Sequence, residues 1–291
     1  LITIAEAIAE GARLLDRSGV ADARRTAGLL MEHFLGADRA QLLVRSSEHI
    51  DDALLESYIR LAERRASGEP VQYIIGHQEF FGLDFKVDRS VLIPRPETEF
   101  LVEQVIALAR DLNACSQKGL MIVDAGTGSG CIAVSLAVNI PRASILAIDI
   151  SPAALDVARL NARNHGVESR IEFIEGDMLS PLSGRGLDGA VDLLVSNPPY
   201  VPASSLHQLQ REVRDWEPRE ALFGGEEGLD FYRRLLDEGK RYVKPGGSLV
   251  CEIGYSQLAA IRELIDLSAW QLTAVTSDLQ GIPRTLSIRR L

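Results

Sequence analysis

The chain has 291 residues, 46% of them hydrophobic and 25% charged, a composition that builds one large globular domain or two ordinary ones. Its net charge of −10 and pI near 5.1 weigh against nucleic acid as a direct substrate, since neither the first 95 residues nor the remainder is net basic. No run approaches the roughly 18 apolar residues of a membrane span, and the first ten residues lack the basic start of a secretory leader. Cys115, Cys131 and Cys251 lie far apart, and the histidines keep no ligand spacing, so neither a disulfide framework nor a metal is expected. The expectation is a cytoplasmic protein.

Residues 1–68 read as a small all-α bundle. Ile4, Ala7, Ile8, Ala12, Leu14 and Leu15 roughly keep helical spacing as far as Gly19, and 21–35 repeats the pattern up to Gly36. A short helix at 40–44 follows. The next, 51–66, starts at Asp51-Asp52 and ends at Arg64-Arg65, a charge order that complements the helix dipole. Gly68-Glu69-Pro70 breaks the helices. Residues 69–97 then read as a linker built on a β-hairpin within 71–87, where Phe81, Leu83, Phe85 and Val87 alternate with small or polar residues and Gly82 suggests a turn. Pro94 and Pro96 fix an extended segment, and Thr98 is placed to cap a helix over 100–112.

From 98 to 291, strand and helix alternate. Strands are expected at 120–124, 144–149, 171–175, 191–196, 247–252, 271–277 and 285–290, with helices near 130–139, 152–165, 228–243 and 256–268. Such alternation predicts an α/β domain with a parallel, doubly wound sheet and right-handed crossovers. The last two strands have no helix between them, so one of them should run antiparallel. Residues 201–227, with Pro202, Pro218 and Gly224-Gly225, read as an excursion over a site.

Two motifs define that site. Asn197-Pro198-Pro199-Tyr200 begins where the apolar strand 191–196 ends, and its prolines must stop the sheet ladder there. The result is a rigid turn at a strand's carboxyl end, where open α/β sheets place ligands. It offers an amide side chain, carbonyls free of ladder pairing and an aromatic ring, which suit a planar –NH2 group with two hydrogens to donate. Upstream, 120–123 runs into Asp124 and then Gly126-Thr127-Gly128-Ser129-Gly130 before a helix. Glycines there let backbone approach a ligand closely, and the helix start favours negative charge. Asp149 ends the second strand, where it either accepts from both hydroxyls of a ribose or caps the helix that opens at Ser151-Pro152. Asp177 can accept from an adenine amino group, with Met178 over or beside the ring; otherwise they are a loop acid and a packing methionine. Asp124 either orients the loop or holds an ammonium group.

With both motifs placed, the sequence resembles the HemK/PrmC family over essentially its whole length. The shared stretches are Glu69-Pro70-Val71-Gln72-Tyr73-Ile74, Glu79-Phe80-Phe81-Gly82, Val91-Leu92-Ile93-Pro94-Arg95-Pro96-Glu97-Thr98-Glu99, the glycine loop, Asn197–Tyr200 and Glu217-Pro218-Arg219-Glu220-Ala221-Leu222. The resemblance implies a class I methyltransferase, a Rossmann-like fold, at 98–291. It implies S-adenosylmethionine as cofactor, with S-adenosylhomocysteine as product. The cofactor would be held by Asp124, Gly126, Thr127, Gly128, Ser129, Gly130, Asp149, Asp177, Met178 and Asn197. The implied substrate is the glutamine of the Gly-Gly-Gln loop in class I peptide-chain release factors, methylated on its amide nitrogen. Asn197, Pro198, Pro199 and Tyr200 would hold that amide: the Asn197 oxygen and Pro198 carbonyl accept its two hydrogens and Tyr200 stacks on its plane. Residues 1–68 would dock the factor. Some members carry an aromatic residue where Met178 stands, which implies weaker adenine stacking here. Arg95 is either a ligand-facing group or a plain ion pair.

Asn-Pro-Pro-Tyr is shared with adenine-amino DNA methyltransferases, so alone it marks amino-nitrogen chemistry rather than a substrate. Three other readings therefore stand beside the first: methylation of DNA adenine, methylation of a ribosomal-protein glutamine, and a non-catalytic module that keeps the cofactor fold. The acidic charge weighs against the first of these, and the intact Asn197–Tyr200 and glycine loop against the last.

Overall fold

The structure is a computed structural model that describes residues 1–115 and 119–291. The chain divides into two compact units, Leu1–His77 with Gln210–Trp216, and Gln78–Leu209 with Glu217–Leu291.

In the first unit, β1 (Ile2–Thr3) leads into α1 (Ile4–Arg17), followed by α2 (Ala23–Leu35), α3 (Arg39–Val44), β2 (His49–Ile50), α4 (Asp52–Ala66) and α5 (Val71–Ile75). Thr3 closes a capping box with Glu6, and Asp38 one with Gln41, so polar residues between the apolar runs fix where helices begin. Ile4, Leu15, Leu30, Met31 and Tyr58 are fully buried together, and the Tyr58 hydroxyl donates to the Ala27 carbonyl at 3.0 Å. Two expectations need correction. Residues 1–67 are not all helix, because β1 and β2 pair antiparallel, Ile2 opposite Ile50. Val71–Ile75 is not hairpin but a helical turn: Pro70 starts it, Gly76 ends it at φ 78°, and Ile74 is buried in the bundle core.

The hairpin itself is β3 (His77–Phe80) and β4 (Leu83–Lys86), turned by Phe81 and Gly82, both at positive φ. A 3-10 turn (Pro96–Thr98) then leads into α6 (Glu99–Cys115). The rest runs β5 (Met121–Ala125), α7 (Cys131–Asn139), β6 (Ser144–Asp149), α8 (Pro152–Asn164), β7 (Ile171–Glu175), β8 (Val191–Ser196), α9 (Arg211–Trp216), α10 (Asp230–Tyr242), β9 (Val243–Glu252), α11 (Leu258–Leu264), β10 (Trp270–Ser277) and β11 (Pro283–Arg290). Seven strands form one sheet in the order β10-β11-β9-β8-β5-β6-β7. β9, β8, β5, β6 and β7 are parallel, while β11 is antiparallel to both β9 and β10, as the absence of a helix between the last two strands requires.

Both faces of the sheet are covered. Ile122, Ile145, Ala147, Leu193 and Val195 point into a core shared with Leu101, Val105, Ile132 and Leu136 of α6 and α7. Their neighbours Val123, Leu146, Ile148 and Leu194 point into a second core with Leu235, Leu236 and Ile261 of α10 and α11. Burial on both sides is why these strands read as continuous apolar runs. The expected helix over 256–268 shortens to α11, and 201–227 contains short helical turns at Ala203–Gln208 and Arg219–Ala221 besides α9. Among the described residues no helix is long and apolar enough to cross a membrane, and no group of three His, Cys, Asp or Glu residues could hold a metal ion. Cys131 and Cys251 are free and buried; the Cys115 side chain lies outside the described residues.

Candidate active site

The carboxyl ends of the parallel strands open onto a cavity of about 710 Å³. One part of its wall is the glycine loop after β5, represented by Gly126, Thr127, Gly128 and Ser129. Gly126, Gly128 and Gly130 all have positive φ, so the loop turns its backbone in a way that side-chain-bearing residues resist. At Gly130 space is limiting as well, since a Cβ would stand 3.0 Å from that of Ala158. Gly130 itself starts α7 and stays out of the cavity wall.

Asp124 is fully buried beneath the loop. Its Oδ2 accepts from the Thr127 hydroxyl at 2.6 Å, while Oδ1 has no hydrogen-bond partner of good geometry. Burial pushes this carboxyl up to about 7, against the Thr127 and Ala133 donors that favour its charge. Of the two roles open from the sequence, orienting the loop is the one the Thr127 contact exhibits, and Asp124 itself is not among the residues that line the cavity.

Asp149 lines the cavity, with both oxygens engaged by backbone: Oδ2 accepts from Gly128 N–H at 2.8 Å and Oδ1 from Ser151 N–H at 2.9 Å. The side chain therefore locks the glycine loop to the end of β6. The helix cap is Ser151, which accepts from Ala154 N–H. Burial raises the Asp149 carboxyl above its ordinary range, and the backbone donors work against that. Asp177 and Met178 also line the cavity. The Asp177 carboxylate is about half exposed and pairs with Arg234 at 2.7 Å, whereas Met178 is buried at a φ of 51° against the second core. Asp177 thus already has a partner, which its position in the sequence did not reveal.

Asn197 and Pro199 also line the cavity, as do Arg95 and Thr98. Thr98 is not the cap expected of it. Its hydroxyl donates to Glu252 Oε2 at 2.5 Å and accepts from Asn197 Nδ2 at 3.1 Å. Arg95 pairs at 2.5 Å with Glu217, whose side chain is buried and whose other oxygen accepts from Ile93 N–H at 3.2 Å. Pro198 is buried, and Tyr200, half-buried, is not among the residues that line the cavity. The Tyr200 hydroxyl donates to Glu252 Oε1 at 3.2 Å, and its carbonyl accepts from Gln257 Nε2 at 3.0 Å. Gly224 is obligatory beside this turn: a Cβ would stand 2.7 Å from the Pro199 oxygen.

Sequence reading missed Glu252, Gln257 and Asn161. Glu252 ends a buried strand next to β8, the same signal that singled out Asp149. Asn161 is buried on α8, donating to the carbonyls of Ser129 at 2.8 Å and Lys86 at 3.0 Å and accepting from Lys86 N–H at 2.8 Å.

Comparison with known proteins agrees with this architecture. Residues 6–76 match the model of the PrmC N-terminal domain, and residues 99–212 that of the methyltransferase small domain. A release factor glutamine methyltransferase of Moorella thermoacetica is 43% identical over 291 residues, covering 99% of both chains. One of Koribacter versatilis is 40% identical with the same coverage. The fold is shared with the crystal structure of a methyltransferase from Pyrococcus furiosus, at a TM-score of 0.51 and 16% identity over 78% of this chain and 96% of that one. A sheet of this topology, a glycine-loop cavity faced by Asn197, and full-length likeness at these identities place the chain in one family: it is a member of the release factor glutamine methyltransferases.

Proposed function

We propose that this chain transfers a methyl group from S-adenosylmethionine to the side-chain amide nitrogen of the glutamine in the Gly-Gly-Gln loop of class I release factors. The observation that carries the reading is the meeting, in one cavity, of the glycine loop and an Asn197 whose side-chain nitrogen is tied back to Thr98. The buried, unpartnered Asp124 Oδ1 and the tight glycine turns fit a cofactor with both a cationic and a flat end. Gly126, Thr127, Gly128 and Ser129 would hold it with Asp149, Asp177 and Met178. When bound, S-adenosylmethionine supplies an electrophilic methyl on a sulfonium.

What the protein must do follows from amide chemistry. The amide nitrogen's lone pair is delocalised, so the site must orient it rather than merely deprotonate it. Asn197 Oδ1 and the Pro198 carbonyl would accept the two amide hydrogens, favouring a pyramidal nitrogen with its lone pair aimed across the cavity; after transfer one of these hydrogens leaves as a proton to solvent, giving the neutral N-methyl amide. Acceptors placed where positive charge develops stabilise the transition state, and near-attack distances of roughly 3–3.5 Å supply the rest. Residues 1–68 would dock the factor and 69–97 link that bundle to the methyltransferase domain at 98–291.

The test is transfer of labelled methyl from S-adenosylmethionine to a release factor, beside a copy with the loop glutamine changed to alanine, a ribosomal-protein mixture and duplex DNA. Label in the intact factor alone is expected. Label in DNA or in ribosomal protein instead would overturn the substrate, and label in none would overturn the activity.

A further inference from the structure

Behind the Asn197 turn lies a carboxylate with no place in the chemistry described so far. Glu252 ends β9, is 3% exposed, and has an oxygen on each of two hydroxyls, Thr98 and Tyr200. A carboxylate only accepts hydrogen bonds, and a threonine hydroxyl has a single hydrogen to give. That hydrogen is committed to Glu252, so toward Asn197 the Thr98 oxygen can only accept. Asn197 must then turn its Nδ2 to Thr98, and its oxygen is the end left for a ligand in the cavity.

We propose that Glu252, acting through Thr98, is a positioning residue that sets which end of the Asn197 amide faces the substrate. The inference rests on the methyl-transfer reading above and deepens it. A protonated Glu252 could donate to Thr98, which could then donate to Asn197 Oδ1. The Asn197 amide would reverse and meet the two donors of a substrate amide with its own NH2. Only the ionised carboxylate, which can do nothing but accept, fixes the relay's direction.

The surroundings leave that charge state near a balance. Burial pushes Glu252 up to about 7, with Glu97 adding to the rise and the Thr98 and Tyr200 hydroxyls and Arg284 opposing it. Tyr232 of α10 donates its hydroxyl to the Glu252 carbonyl at 3.1 Å, and the buried thiols of Cys131 and Cys251 are pushed up to about 12, so they face it uncharged. Tyr200 is likewise raised and stays neutral. None of the hydroxyls and thiols around Glu252 changes charge near neutrality.

The experiment uses the full chain with Thr98→Val, Thr98→Ser and Glu252→Gln. In the protein without cofactor, the Asn197 side-chain NH2 resonances should move as pH crosses about 7, and Thr98→Val should abolish that movement while Thr98→Ser retains it. With a release factor and S-adenosylmethionine, Thr98→Val and Glu252→Gln should each lower kcat about tenfold or more, with cofactor Kd changed less than about twofold. Thr98→Ser should return kcat to within about threefold of the parent, and the parent's kcat should fall as pH drops through about 7. Asn197 resonances indifferent to Thr98→Val, or a Thr98→Ser as impaired as Thr98→Val, would overturn the relay. A parent protein that methylates no release factor would overturn the functional reading instead, and the resonances would still decide the relay.

Discussion

In the proposed reaction Asn197 faces two demands: it must present an acceptor and it must not rotate. Its nitrogen is held by Thr98 and its backbone by two prolines, so replacing it removes the acceptor while leaving the turn intact. Asn197→Ala should lower kcat on a release factor about a hundredfold, the scale of losing one placed hydrogen-bonding group in a transition state. Cofactor affinity measured by calorimetry should stay within about threefold, because the glycine loop and Asp149 are untouched. Equal losses in both would remove Asn197 from catalysis. Glu252 bears on stability too. Its folded-state carboxyl sits at about 7 and its ordinary value is 4.5. The folded chain therefore binds that proton more tightly than the unfolded chain, and the group's contribution is full below about 4.5 and lost as pH rises to about 7. Glutamine does not titrate. Glu252→Gln should thus gain on the parent by about 2–3 kcal/mol between pH 4.5 and 7 and level off above, as read from urea unfolding across pH. A stability difference that stays flat over this range would show that Glu252 keeps its charge state throughout.

The glycine loop shows the same logic in elements rather than side chains. Its conformation is anchored from below by Asp124, from the side by Asp149, and from behind by Asn161, which also grips both polar groups of Lys86 in β4. Asn161→Leu leaves the buried Ser129 carbonyl and the part-buried Lys86 groups without this partner and should cost about 2 kcal/mol of unfolding free energy. It should also weaken cofactor binding, since the Ser129 carbonyl loses its tether; unchanged affinity would mean the loop stands without it. The parallel strands were readable because burial on both faces makes them continuous apolar runs, and β6, β7 and β8 fall where their residues alone put them. The glycine loop and Asn197 turn were readable because local chemistry fixes them. Long-range partners were not. Nothing near Thr98 points to Glu252, 154 positions away, and nothing near Arg95 to Glu217. Val71–Ile75 read as strand because five residues are too few for periodicity to separate helix from strand, and burial in the bundle decided for helix.

At the scale of the whole molecule, the first unit holds none of the residues that line the cavity, yet it makes up nearly three tenths of the chain and keeps a core of its own. Its surface leaves one adjacent pair of large apolar side chains exposed, besides the separate Leu1 and Leu54. Leu43 and Val44, at the end of α3, are 70% and 84% exposed. Adjacent large apolar side chains left in water are what a contact surface requires and what an isolated bundle gains nothing from. If residues 1–68 dock the release factor, this pair is where apolar area is available to bury, roughly 25 cal/mol for each Å² removed from water. Leu43→Asp with Val44→Asp should therefore raise KM for the intact factor about tenfold or more through lost burial. The same double variant should methylate a short peptide containing Gly-Gly-Gln at the parent's rate, because a short peptide lacks the folded surface that a docking face would bind. Its unfolding free energy should change by less than about 0.5 kcal/mol, as for other exposed substitutions. A rise in KM for factor and peptide alike would instead make the pair part of the catalytic unit's support. No rise for either would leave docking to another face of the bundle, with the charged ends of α4 the next surface to alter.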